Sequence, residues 1–262
     1  MDRVSQGRTR GGGSNARGVG WALGIVVLSY LYLFPYSAVL NNPNERTRVL
    51  QARALAEHGQ LHIGEVYRAS NGKLSVRDLY GGVTRGPFVN DVALVCDEPG
   101  ATPPKCVGRI YPAKAPGTAL LGVPALIVGK RVGFIGEGVA DEARVTWLLR
   151  VFGILPLFVL GLWLLGRELE RMGAQAPFIG RAVLATGLGT TLFTYSLAFV
   201  GHAAASVALL LGLVLLRDAS EATRPLKGAV CAGLAASCAV LLEYHAAIAV
   251  VVLGLAALLR ER

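Results

Sequence analysis

Glu45 in NNPNERTRV and Lys114 in YPAKAPG are the residues whose types and settings first suggest chemistry. Glu45 opens a stretch of good helix formers, where a carboxylate sits favourably near the positive end of the helix dipole. Lys114 stands between Pro112 and Pro116, which stiffen the backbone, and just before Gly117, which permits close approach. Held in one place, such a carboxylate takes a proton from an acceptor hydroxyl, while the lysine offsets charge on a phosphate. Arg150 is a second candidate cation, and Tyr111, His202, Glu243 and His245 are candidates to line a pocket around the pair.

The elements that must position these residues are set by composition. The chain has 262 residues, 53% hydrophobic and 16% charged, with a net charge of +9 and a mean hydropathy of +0.50. This is too apolar and too sparsely charged for an ordinary soluble domain, and it points to an all-α polytopic membrane protein. A basic balance in such a chain reports orientation, because Lys and Arg collect in cytoplasmic loops. Basic and aromatic residues are not interleaved as in a nucleic-acid groove, so no nucleic-acid partner is expected.

Residues 1–19, with Arg3, Arg8, Arg10 and Arg17 in a Gly/Ser-rich setting, are expected to form a disordered cytoplasmic tail. The apolar run Gly20–Leu40 follows as a retained first helix, without a secretory cleavage site. Polar sequence then extends from Asn41 to about Gly117, opening a loop over residues 41–144 that the positive-inside pattern places outside the cytoplasm. Within this loop Asn44–His58 reads as a helix lying along the membrane surface, with Asn44 as its N-cap. Thr118–Val128 is apolar but too short to cross and holds Pro124, so it is expected to be interfacial or re-entrant. Further spans are expected at Val145–Gly166, Phe178–Val200 and His202–Leu216, the last two joined by a tight turn at Gly201-His202. Gly228–Leu259 is broken by Glu243-Tyr244-His245 and reads as two short helices, with a single tilted helix as the alternative. The total is about six spans, and residues 20–262 form one transmembrane domain. Gly, Ala, Ser and Thr in GAVCAGLAASCAV and LATGLGTTLF allow close helix packing in lipid.

Each candidate has a plainer reading. Arg150 and Arg181 near helix ends can snorkel to the interface, and His202, Glu243 and His245 can be polar caps at the outer ends of their helices. Cys96 and Cys106 bracket DEPGATPPK and suit a disulfide in an oxidising compartment, two free thiols being the alternative. Cys231 and Cys238 read as small core residues. His58 and His62 lack a third ligand, so no metal site is expected.

The order of these features resembles the N-terminal half of the GT-C membrane glycosyltransferases, the superfamily of protein O-mannosyltransferases and lipid A aminoarabinose transferases. NERTRVLQARALAEHGQL is similar to that family's acidic loop motif and surface helix, and YPAKAPGTALLGVPALIVG to its aromatic-x-x-Lys-Pro-Pro motif, with Ala115 where the first proline usually stands. RVTWLLRVFGILPLFVLGLWLLGREL is similar to the span that carries a basic residue near its start. The resemblance implies that Glu45 is the catalytic base or acceptor-positioning group, and that Lys114 and Arg150 meet the donor phosphate. Asn44 precedes Glu45 where two adjacent acids are common, so a divalent metal is not supported. His202 stands where an acid is common, and the resemblance assigns it no role.

The expected activity is transfer of a sugar, hexosyl or pentosyl, from a polyprenyl-phosphate donor to an acceptor outside a bacterial cytoplasmic (inner) membrane, with the N-terminus cytoplasmic. Such a chain has membrane lipid as a partner. Family members usually continue with further helices, so a missing C-terminal half or a partner subunit is also expected. The alternatives are a non-catalytic scaffold or remnant of such an enzyme, and a transporter whose path Arg150, Glu243 and His202 would line.

Overall fold

The computed structural model describes residues 12–37, 42–64, 66, 91–97, 108–136, 141–221 and 225–260. It is mostly helical, and three of its helices are long and apolar enough to cross a membrane: Val19–Tyr36, Glu142–Arg171 and Gly201–Ser220. Helix α1 (Gly12–Leu33) runs on into a 3-10 turn, Phe34–Ser37. It begins inside the segment expected to be disordered: Gly12 to Val19 are helical, and only residues 1–11 of that segment lie outside the described residues. Tyr30 on α1 lies at the centre of an aromatic group with Phe34, Phe158 and Phe193, and its hydroxyl donates to the Gly187 carbonyl at 3.1 Å.

Helix α2 (Pro43–His58) is the expected surface helix, but its N-cap is Asn42, whose side chain accepts from Asn44 N, and Pro43 occupies the first turn. Asn44 is therefore inside the helix rather than its cap, because Pro43 has no N–H to satisfy and is preorganised for a first helical turn. Gly59 ends α2 in the left-handed region at φ 65°, where a side chain would be strained.

Two strands, β1 (Val92–Cys96) and β2 (Gly108–Pro112), pair antiparallel with Val92 opposite Pro112 and Cys96 opposite Gly108. The fold is thus not purely helical. The apolar, β-branched run VALVC against GRIYP favours an extended pair. Cys96 is disulfide-bonded. Its expected partner Cys106 lies outside the described residues, as do residues 67–90 of the loop.

Helix α3 (Gly117–Arg131) retains Pro124 inside it. At 15 residues it is about 22 Å long, short of a bilayer core of about 30 Å. Helix α4 (Glu142–Arg171) is 30 residues long and carries a π-helical stretch at Leu149–Ile154. Pro156, two residues beyond that stretch, has no N–H to donate, and the Leu155 N–H instead reaches back to the Arg150 carbonyl.

The expected single span Phe178–Val200 is instead two helices, α5 (Ala176–Gly189) and α6 (Thr191–Ser196). Thr190 is extended at φ −120°, ψ 172°, and its side chain caps α6 by accepting from Leu192 N, a local bond that competes with helix continuation. The turn lies at 197–200, and Gly201 and His202 are already the first residues of helix α7 (Gly201–Glu221). Helices α8 (Pro225–Leu242) and α9 (Ala246–Arg260) meet at Glu243-Tyr244-His245, the arrangement expected from the polar break. Helix α8 turns Ala232 and Ala236 to Gly212 of α7, within 3.5 Å of a Cβ built there. Cys231 and Cys238 are consequently exposed rather than core residues, because the small-residue stripe that packs is the alanine face.

The main core joins Val49 and Ala52 of α2, Leu126 of α3, Leu149 and Ile154 of α4, and Phe199. A second centres on α1, α4 and α5 through Val26, Phe158 and Val183. Helix α2 is therefore not merely laid on a surface: most of it is buried.

Candidate functional site

The starts of α4 and α7, the end of α8 and the turn after α6 all reach the same end of the molecule, and α2 packs across it. Two linked sets of polar contacts form there, and α2 contributes to both from positions one turn apart, Glu45 and Arg48.

The deeper set centres on Glu45. Arg150 donates Nε to Glu45 Oε1 and Nη2 to Glu45 Oε2, each at 2.7 Å. The Phe199 amide, free because the chain has left the helix after Ser196, donates to Glu45 Oε1 at 2.6 Å. Both side chains are 3% exposed. A fork-to-carboxylate pair of this kind is the strong form of a charge-assisted bond. It holds α2, α4 and the α6–α7 turn together. The π-helical stretch carries Arg150 well inside α4, so Arg150 does not snorkel.

The outer set is more open. The buried Arg48 guanidinium donates through Nη2 to Glu243 Oε1 and through Nη1 to the Asn44 carbonyl at 3.3 Å and to Asn44 Oδ1. Among the described residues Arg48 Nε has no hydrogen-bond partner. Burial pulls the Arg48 pKa below its ordinary value, while Glu243 and Asp91 pull it back up. His202 places Nδ1 at 3.5 Å from Glu243 Oε1, and its side chain is 39% exposed. The Tyr195 ring meets the His202 ring edge-on at 4.6 Å between centroids. Lys114 and His245 are also within electrostatic reach of His202. Lys114 Nζ lies 3.3 Å from Asp91 Oδ1, with 27% of the side chain exposed.

Glycine makes this approach possible. At Gly201 an added Cβ would meet the Leu242 carbonyl oxygen, Thr118 Oγ1 at 2.7 Å and Glu243 Cγ at 2.9 Å. At Gly117 it would meet the Leu241 carbonyl oxygen at 2.5 Å. Thr118 Oγ1 donates to the Leu242 carbonyl at 3.3 Å, joining the start of α3 to the end of α8.

The residues singled out by sequence thus fall into two groups. Glu45 and Arg150 come together as a sealed pair, while Lys114, His202, Glu243 and His245 share the outer set. Tyr111 points elsewhere, meeting His62 edge-on at 6.1 Å. Arg181 is exposed and donates Nε to the Pro177 carbonyl of its own helix at 3.0 Å. Arg48 and Asp91 belong to the site and were not singled out. The available signal for Arg48 was its position one turn after Glu45, and for Asp91 its place next to an apolar run. No family model, curated protein or solved structure matches the chain.

Proposed function

We propose that the protein is a membrane glycosyltransferase of GT-C type, moving a sugar from a polyprenyl-phosphate carrier to an acceptor on the extracytoplasmic side of a bacterial cytoplasmic membrane. One observation carries the reading: Arg48, Lys114, His202, Glu243 and His245, drawn from four segments of the chain, gather at one end of the helices. A partly exposed lysine at the same end as a buried guanidinium whose Nε has no partner among the described residues suits the phosphate of a lipid-anchored donor.

The alternation of the helices supports the topology. With α1 crossing outward, α4 starts at the cluster and runs inward, α5 and α6 return to it, α7 leaves it, α8 returns and α9 leaves. The inner helix ends so placed carry Arg167 and Arg171, Arg217, Lys227 and Arg260. Lys114 offsets the charge that develops on the departing phosphate, and the Glu45–Arg150 pair holds the surface helix over the spans. A transporter path through Arg150 is not what this geometry favours, since Arg150 is sealed by Glu45 and the Phe199 turn.

The test is turnover by purified full-length protein in liposomes, with a panel of polyprenyl-phosphate hexoses and pentoses and mass detection of released polyprenyl phosphate. Lys114→Ala should lower turnover about 10²-fold or more, the size expected for losing one preorganised electrostatic contact in a poorly hydrated site. The rival scaffold reading, favoured by the buried pairing of Glu45 with Arg150, predicts that the wild-type protein consumes no donor at all.

A further inference from the structure

We propose that His202, backed by Glu243, is the general base of the reaction, taking the proton of the acceptor hydroxyl at Nε2. This rests on the glycosyltransferase reading and assigns a role that neither spacing nor family resemblance gave.

The geometry separates the two carboxylates that could serve. Glu45 is 3% exposed and accepts three hydrogen bonds, so an acceptor hydroxyl reaches it only by displacing Arg150. Glu243 is 10% exposed at its side chain and is held by Arg48. His202 is the open member of the group. Nδ1 lies 3.5 Å from Glu243 Oε1, near enough for the carboxylate to favour the tautomer with its hydrogen on Nδ1, and that tautomer presents the Nε2 lone pair to an incoming hydroxyl. The Tyr195 ring packs edge-on against the imidazole, and Gly201 lets the start of α7 come close to Glu243. The groups facing His202 are Arg48 on α2, Lys114 before α3, Tyr195 on α6, and Glu243 and His245 between α8 and α9.

The step balances without a redox partner. The acceptor O–H proton passes to His202 Nε2 as the acceptor oxygen bonds to the anomeric carbon. The bond from that carbon to the phosphate oxygen breaks, and its electron pair leaves on the lipid phosphate beside Lys114. Glu243 stabilises the imidazolium across Nδ1, and the exposed ring then returns its proton to water.

The experiment uses full-length protein in liposomes with whichever polyprenyl-phosphate sugar of the panel the wild type consumes. His202→Gln and His202→Ala should lower kcat about 10²-fold or more, the usual worth of a positioned base, with the donor KM within about twofold of wild type. The acid limb of the kcat–pH profile should disappear in both variants, and added imidazole should restore part of the His202→Ala rate. Retention of kcat by His202→Gln overturns the assignment. So does a lost rate with an unchanged acid limb and no imidazole rescue, which is the signature of a structural role. A wild-type protein that turns over no donor overturns the function itself, and the base assignment with it.

Discussion

The two ends of the helical body treat charge in opposite ways. At the end crossed by α2, Glu45 and Arg150 are each 3% exposed, and Arg48 is 1% exposed beside Glu243. At the other end, Arg171 and Arg217 meet Glu168 and Asp218 across the termini of α4 and α7, with Arg171 Nη1 3.0 Å from Asp218 Oδ1 and both side chains about two-fifths exposed. The Glu45–Arg150 and Arg48–Glu243 pairs have been taken out of water, while the Arg171–Asp218 pair has been left in it. Desolvated charges need their partners to stay paired, whereas wet ones contribute little when paired and lose little when not. Buried ionic contacts at one end only are a reason to look for chemistry there.

The largest effect expected from this contrast is at Glu45. Glu45→Ala leaves the Arg150 guanidinium buried without its carboxylate and frees the Phe199 amide as well. Breaking one member of a buried pair costs about 3–5 kcal/mol. Thermal unfolding of the purified protein in detergent should register that loss, or the variant should fail to accumulate in the membrane. A Glu45→Leu/Arg150→Met double variant should recover most of the stability, because a matched apolar replacement removes both desolvation costs. A double variant as unstable as the single one would show that the Phe199 contact, rather than the ion pair, holds this end.

A smaller effect is expected at Gly201. Gly201→Ala places a methyl against the Leu242 carbonyl and Thr118 Oγ1, and a backbone carbonyl cannot rotate away as a side chain can. Overpacking of this kind costs about 1–3 kcal/mol. It should also separate His202 from Glu243, so turnover should fall further than the unfolding temperature suggests. A variant with reduced stability but wild-type turnover would show that the His202–Glu243 contact is dispensable.

How much of this contrast could be read in the sequence depends on the range of each contact. The α2 helix and the break at Glu243-Tyr244-His245 were legible, because good helix formers and a polar triplet in an apolar run are local signals. The Glu45–Arg150 bond joins residues 105 apart, and Arg48–Glu243 joins residues 195 apart. No periodicity reports such pairs, so Glu45 read as an available carboxylate and Arg48 drew no reading of its own. The break at Thr190 and the π-helical stretch before Pro156 were missed for a related reason. Each is a local bond that departs from the regular helix where the segment packs on a distant element, α1 for the helix before Thr190 and α3 for the π-helical stretch.

The smallest effect belongs to the wet end, and it tests the comparison from the other side. Arg171→Ala, Asp218→Ala and the double variant form a cycle whose coupling should be within error of zero at physiological salt. Exposed pairs lose most of their Coulomb energy to water, and ions screen the remainder beyond about 8 Å. Arg171 also meets Glu168 at 3.1 Å, so losing Asp218 leaves it a partner, which buffers the change further. Turnover should not move, since α4 and α7 carry this network at the ends remote from Arg150 and His202. A coupling that is large and insensitive to salt would mean this end is desolvated too, and the contrast between the two ends would then lose its value as a guide to where the chemistry lies.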